Sequence, residues 1–402
     1  MQSISELYKI GFGPSSSHTM GPAQAARKFL SVFPCADHYK TILYGSLALT
    51  GHGHLTDHVL ATLFKSENKP LDIVFDFKNL NLEHPNTIRF LAFDSNDNIL
   101  GDRVFFSVGG GNIRQKGEDP LLIKETYPFA NFTAIKKYCF DNNMSLPLLA
   151  KKFEDSTLMA HIELVFKTME NAILKGLKSE GFLPGTLHLK RKARQLLKLN
   201  DTFPTRAEKR AQIIMAYAYA TSEENAAGGV IVTAPTCGSS GVLPALLYFY
   251  HHNLKYPLKS IYEALLVAGI IGVTIKQNGS ISGAECGCQA EIGVASAMAA
   301  SAIAYLHKLS IDQMEYAAEV SLEHHLGLTC DPIDGYVQIP CIERNAINAL
   351  QVLDAVFLAQ YVSYDHRVSL DQMITTMLET GRDLNVNYRE TVQGGMARIF
   401  KK

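Results

Sequence analysis

A change of hydrophobic periodicity partway along the chain constrains the fold more than any other feature. Over residues 1–115, short β-rich runs at Thr41 to Leu43, Leu71 to Phe77, Ile88 to Phe93 and Arg103 to Val108 alternate with helical stretches. That alternation predicts an α/β domain with a mixed sheet. Gly109-Gly110-Gly111 reads as a turn closing the last run, and no Gly-x-Gly-x-x-Gly dinucleotide fingerprint follows it. Residues 116–180 read as a polar connector and a lead helix. In that helix His161, Leu164, Val165, Met169 and Leu174 recur near helical spacing, and Gly181-Phe182-Leu183-Pro184-Gly185 ends it. Residues 181–402 alternate Ala-rich helices with loops rich in Gly, Pro and Thr. The predicted fold class is α+β: an N-terminal α/β domain followed by a larger, mostly α-helical one.

Composition narrows the function classes. The chain has 402 residues, 47% of them apolar and 19% charged, with a net charge of −1. It is a globular protein without an electrostatic footprint for nucleic acid. The basic stretch Lys190 to Arg194 reads as a solvated helix face. The first residues lack the basic flank and apolar core of a signal peptide. The apolar run from Ala264 to Ile275 is too short to span a bilayer, and Val294 to Leu306 reads as a tightly packed buried helix. The expectation is a cytoplasmic protein with no nucleic-acid or membrane partner, acting on a small molecule, with a homodimer as the default assembly. In a reducing compartment its seven cysteines are thiols or metal ligands rather than disulfides.

Five of those cysteines, Cys237, Cys286, Cys288, Cys330 and Cys341, fall in the second half. Cys288, Cys330 and Cys341 occupy loop-like settings beside Gly or Pro, which free the backbone to aim thiolates from distant segments at one centre. Cysteine is also a small core hydrophobe, and both readings stand on pattern alone. No paired C-x-x-C knuckle supports a structural zinc.

Polar segments supply the other candidates. Ser15, Ser16 and Ser17 precede a predicted helix starting near Ala23, where hydroxyls and free N–H groups suit a carboxylate as well as a simple cap. His18 adjoins Ser17, but no nucleophile elbow marks a hydrolase. His52, His54 and His58 lie among glycines near Asp57, without four convincing zinc ligands. Thr236 and Ser239 open the helix beginning near Val242, and Asn278 and Ser280 offer polar contacts just before Cys288. Glu285 suits a neighbour of a metal group or an ion pair. Arg344 suits a bidentate carboxylate grip or a structural ion pair.

Ser280-Ile281-Ser282-Gly283-Ala284-Glu285, Cys330-Asp331-Pro332 and Ile339-Pro340-Cys341-Ile342-Glu343-Arg344-Asn345 closely resemble the α region of bacterial iron–sulfur L-serine dehydratases. So do Asn225-Ala226-Ala227-Gly228-Gly229, Thr233-Ala234-Pro235-Thr236 and Glu323 to Thr329, and the N-terminal half resembles the family's β region. The resemblance covers nearly the whole chain. It implies an oxygen-sensitive lyase of amino-acid degradation and gluconeogenesis that converts L-serine to pyruvate and ammonia with a [4Fe–4S] cluster. The cluster ligands it implies are Cys288, Cys330 and Cys341. Three thiolates leave one iron open to act as a Lewis acid on the serine hydroxyl.

The resemblance further implies His54 as catalytic acid/base, with Asp57 placed to orient it, and His84 as a second catalytic histidine; His18 stands beside them as a candidate. Cys286 is then a neighbour rather than a ligand, Cys237 a packing or lining residue, and Cys35 and Cys139 structural. The Phe106-Ser107-Val108-Gly109-Gly110-Gly111-Asn112 segment is expected to shape the contact between domains, with the active site between them. Some family members bring a cysteine of the C-terminal tail to the resting cluster, whereas this sequence has none after Cys341. Alternatives at this point are a same-cluster hydro-lyase acting on threonine or a hydroxy acid, and a non-catalytic amino-acid-binding regulatory protein. A pyridoxal-phosphate route lacks a Schiff-base lysine motif.

Overall fold

The computed structural model describes residues 1–79, 82–118, 125–198, 205–362 and 366–400. A five-stranded mixed sheet forms the N-terminal domain, with β2 (His38–Tyr44), β3 (Leu71–Asp76), β4 (Thr87–Phe93), β5 (Ile99–Gly109) and β6 (Asn112–Gln115) in the order β3-β2-β4-β5-β6. β2 and β3 run parallel with Thr41 opposite Ile73, and the remaining pairs are antiparallel, with Thr41 opposite Phe90 and Phe90 opposite Arg103. Alternation puts Tyr39, Leu43, Phe90 and Phe105 on the face covered by helices Gly21–Val32 and Thr56–Ser66, which add Ala26, Phe29, Leu60 and Phe64 to one core. Gly109 to Gly111 do not end the sheet. All three have positive φ and turn the chain into β6, which pairs back on β5.

The larger domain is built around helix Ile292–Leu306, buried at every residue except Tyr305. Its Ala, Gly and Ser side chains let surrounding helices approach closely. Among them are Val242–His252, Leu258–Asn278, Ile311–Glu323 and Cys341–Val362. Helix Leu258–Asn278 extends beyond the uncharged run that marks it in the sequence. By length and composition it passes as a membrane span, yet its most apolar window is 72% buried inside the fold. Packing against the other helices accounts for its apolar composition.

Three expectations need correction. Residues 1–12 do not belong to the α/β domain: Met1, Ile4, Leu7 and Tyr8 sit in the helical core, and the Tyr8 hydroxyl donates to the Leu265 carbonyl at 2.9 Å. The short strand β1 (Ile10–Phe12) pairs antiparallel with β7 (Val230–Val232) of the helical domain. The polar connector holds a helix, Phe132–Asp141, started by the Asn131 side chain accepting from the Ala134 N–H. Lys190 to Arg194 is not a solvated helix face, since the helix begins only at Ala193 and Arg191 reaches inward to the buried Glu224 at 2.6 Å. A buried carboxylate requires such a partner.

Candidate active site

The N-terminal segment crosses from one domain to the other at Gly13-Pro14-Ser15-Ser16, and this crossing builds one wall of a cavity. The Asn225 amide donates to the Pro14 carbonyl at 3.0 Å, and the Gly13 N–H donates to the Gly229 carbonyl at 3.0 Å. A Cβ at Gly13 would meet Asn225 Oδ1 at 2.2 Å, so only glycine allows this approach. The chain then enters a single π turn, Ser16–Met20, capped by the Ser15 hydroxyl, which accepts from the His18 N–H at 3.0 Å. Ser107 Oγ donates to the Ser17 carbonyl at 2.6 Å, which ties the turn to β5.

His18 and His54 come together here. The Thr19 hydroxyl donates to the His54 carbonyl at 2.7 Å and the Thr56 hydroxyl to the His18 carbonyl at 2.6 Å. Their rings meet at a tilt of 33°, with centroids 4.4 Å apart. Burial pushes the His54 imidazole down to about 4 and, reinforced by the neighbouring His54, holds His18 well below the usual histidine range. Both are neutral at pH 7. The Thr50 hydroxyl donates its proton to the Ser46 carbonyl at 2.9 Å, so at 3.1 Å from His54 Nδ1 it acts as acceptor. Nδ1 therefore carries the His54 proton, and Nε2 carries the lone pair.

The opposite wall comes from the helical domain. The cavity is lined by Pro14, Ser15, Ser16 and His54 on one side. Gly238, Cys288, Glu291, Cys330, Pro332, Val337, Cys341 and Glu390 complete it. The three thiols arrive from three separate elements: the short 3₁₀ turn Cys288–Ala290, the loop before Pro332, and the first residue of helix Cys341–Val362. A hydrogen bond from Cys330, aided by the Arg344 guanidinium, holds the Cys288 thiol below its ordinary range; the same bond and burial raise Cys330. Burial also raises Cys341.

This donor set fits an iron–sulfur group. Three soft sulfur ligands face one space, and a Cβ at Gly283 would come within 3.2 Å of Cys330 Sγ, so the glycine keeps room beside the sulfur. Hard cations take oxygen ligands instead.

Ser17, Thr236 and Ser239 stand close behind the lining rather than in it. Ser17 Oγ is 2.8 Å from His18 Nδ1, and Thr236 Oγ1 donates to Glu291 Oε1 at 2.7 Å and lies 3.1 Å from Ser239 Oγ. Asn278, Ser280, Arg344 and His84 lie outside the lining. Asn278 donates to the Ala130 carbonyl at 2.9 Å and Ser280 to the exposed Glu285. Arg344 donates to the Thr329 carbonyl at 2.7 Å and stands beside the Cys288 thiol, so it is a charge partner for sulfur rather than a carboxylate clamp. The ring of His84, half-buried near Phe106, accepts at Nδ1 from the Asn86 N–H at 3.0 Å. Asp57 does not orient His54: its Oδ2 is 2.7 Å from Nδ1 of the exposed His52.

Cys237 packs with Met20, Ala172 and Ile231, and Cys286 packs against Gly381. Cys139 lies in the helical core, and Cys35 is exposed.

Two carboxyl groups of the cavity escaped the sequence analysis. Glu291 lies about one helical turn past Cys288, a spacing that could have suggested a shared face. Burial raises its carboxyl. Glu390 carries no local signal, because it reaches the cavity only through the C-terminal strap. There the Cys330 N–H donates to the Tyr388 carbonyl at 2.8 Å and the Thr391 N–H to the Cys330 carbonyl at 3.2 Å. Burial, followed by the nearby Glu291, pushes the Glu390 carboxyl up to about 8.

Comparison with known proteins agrees along the chain. Residues 3–69 match the family model for the serine dehydratase beta chain, and residues 85–397 match the model for the serine dehydratase alpha chain. An L-serine dehydratase of Haemophilus influenzae is 38% identical, with the match covering 99% of each chain. L-serine dehydratase 2 of Escherichia coli is 37% identical, covering 99% of this chain and 98% of its own. An L-serine dehydratase of Streptomyces coelicolor is 35% identical, covering 98% of both. With both models matched in one polypeptide and full-length relatives above 30% identity, this chain belongs to the serine dehydratase family, its beta and alpha regions fused.

Proposed function

We propose that this chain is a cytoplasmic L-serine dehydratase that forms pyruvate and ammonia with a [4Fe–4S] cluster held by Cys288, Cys330 and Cys341. The observation that carries this reading is one cavity shared by those three thiols and the buried, neutral His54. The substrate comes from the full-length relatives, which are L-serine dehydratases. The seven free thiols suit a reducing compartment.

A cluster bound through three thiolates supplies a Lewis-acidic iron that makes the serine hydroxyl a better leaving group. The protein supplies the rest. Nε2 of His54 accepts the α-proton as the β-carbon–oxygen bond breaks, and the oxygen leaves as water once protonated. Elimination yields aminoacrylate, whose imine tautomer hydrolyses to pyruvate and ammonia. Thr50 holds His54 in the tautomer this step needs, and burial keeps the imidazole neutral. The Ser15 and Ser16 hydroxyls offer partners for the substrate carboxylate at the head of the π turn. Glu291, held by Thr236, lies near the sulfurs, with its Oε2 3.9 Å from Cys330 Sγ.

Anaerobic reconstitution with iron and sulfide, followed by a pyruvate assay on L-serine, tests the proposal. Replacing Cys288, Cys330 or Cys341 by Ala is expected to abolish both the brown colour and turnover, while Cys35→Ala preserves both. Turnover surviving in all three variants removes the cluster from the mechanism.

A further inference from the structure

We infer that Glu390 is the subsite for the α-ammonium group of the amino-acid substrate, delivered to the cavity by the C-terminal strap. The inference rests on the amino-acid dehydratase reading above and adds the residue that distinguishes an amino acid from a hydroxy acid.

Position comes first. Glu390 lines the same cavity as Ser15, Ser16, His54 and the three thiols, so its carboxyl group faces the space a small substrate occupies. Its side chain is 13% exposed, and Oε1 lies 3.5 Å from His18 Nδ1. The strap fixes that position from both sides: Tyr388 and Thr391 bond the backbone of Cys330, and further along the Met396 N–H donates to Asp331 Oδ2 at 2.7 Å. Glu390 adopts φ of 50°, a left-handed conformation that non-glycine residues rarely take. The surrounding bonds hold it there and turn its side chain inward.

Charge comes second. A carboxylate enclosed by protein is costly unless a cation meets it. The other cavity carboxyl, Glu291, already accepts from Thr236 and lies near the Arg344 guanidinium. Glu390 instead receives a hydrogen bond from the Ser17 hydroxyl and faces a histidine that burial keeps neutral, so with no cation beside it the Glu390 carboxyl keeps its proton at pH 7 and gives it up to solvent when a cation arrives. An amino acid brings the missing cation as its ammonium group. Its carboxylate then falls toward the Ser15–Ser16 turn and its side-chain hydroxyl toward the sulfurs.

The test compares L-serine with L-glycerate, in which a hydroxyl replaces the ammonium group. With holoenzyme, KM for L-serine and the competitive Ki of L-glycerate are measured; with the cluster-free full chain, L-serine binding is measured by calorimetry. Wild type is expected to favour serine over glycerate at least tenfold. In Glu390→Gln that preference is expected to fall below threefold, with KM rising more than kcat falls and glycerate Ki unchanged, while Glu390→Asp keeps part of it. A preference retained in Glu390→Gln, or absent from wild type, overturns the assignment; the wild-type comparison decides even if the variants do not fold. Wild-type holoenzyme that forms no pyruvate overturns the serine reading instead. Calorimetry then decides separately: serine binding lost in Glu390→Gln supports the subsite, and binding retained there or absent from wild type refutes it.

Discussion

Replacing His54 by Gln is expected to make the protein less sensitive to acid, and the size of the effect follows from the burial of the imidazole. The folded chain holds His54 at about 4, against an ordinary value of 6.5. Between those values the unfolded chain takes up a proton that the folded chain refuses. Stability contributed by the neutral buried ring is therefore complete above pH 6.5 and is lost as the pH falls toward 4. At pH 5 the loss amounts to about 2 kcal/mol relative to pH 8. Glutamine does not titrate, so His54→Gln should escape that loss whatever its stability at pH 8. Urea unfolding of the cluster-free chain at pH 8 and pH 5 measures the change for wild type and variant. If both lose the same free energy between the two pH values, His54 is not held neutral by the fold, and its assignment as a resident base at pH 7 fails.

Other perturbations probe the supports of the site. Ala at Gly395 would place its Cβ 1.7 Å from Asp331 Oδ2 at φ of 49°; opening of the strap should become easier by about 2–4 kcal/mol, read as faster hydrogen exchange at the Thr391 amide. Asn225→Ala leaves the Pro14 carbonyl without its side-chain donor and should cost about 1–3 kcal/mol, read as a lower urea midpoint together with a higher KM for L-serine. Arg344→Gln removes the guanidinium beside Cys288, so the thiol should titrate at higher pH in the cluster-free chain. The difference in thiolate absorbance between Arg344→Gln and Arg344→Gln/Cys288→Ser reports that shift, and an unchanged titration would mean that the Cys330 contact alone sets it.

These supports share a logic. Each reactive group is aimed by a partner from another part of the chain: His54 by Thr50, the Ser15–Ser16 turn by Asn225 and Ser107, and Cys330 by the strap. The N-terminal residues embedded in the helical core anchor the crossing segment on one side, while β5 anchors the turn on the other. The histidine wall is thereby held against the cysteine wall, with no dependence on the domains meeting through a flat surface alone.

Local patterns determined much of this protein. Short β-rich runs marked the longer strands of the sheet, small-residue helical runs marked the buried helices, and glycines and prolines marked the loops that carry the thiols. The motifs around Cys288, Cys330 and Cys341 pointed to one group of ligands, and the His18 and His54 segments to a polar site, because such signals are written in consecutive residues. Tertiary structure decided which polar residues share the cavity. Asp57 turned to His52, Asn278 to Ala130 and Arg344 to sulfur, since each bonds whatever the fold brings within reach. Met1 to Tyr8 joined a core formed by distant helices, where burial of their apolar side chains decides the location. Glu390 entered the site only because backbone pairing with Cys330 closes a long loop in sequence, and no local periodicity records such a pairing.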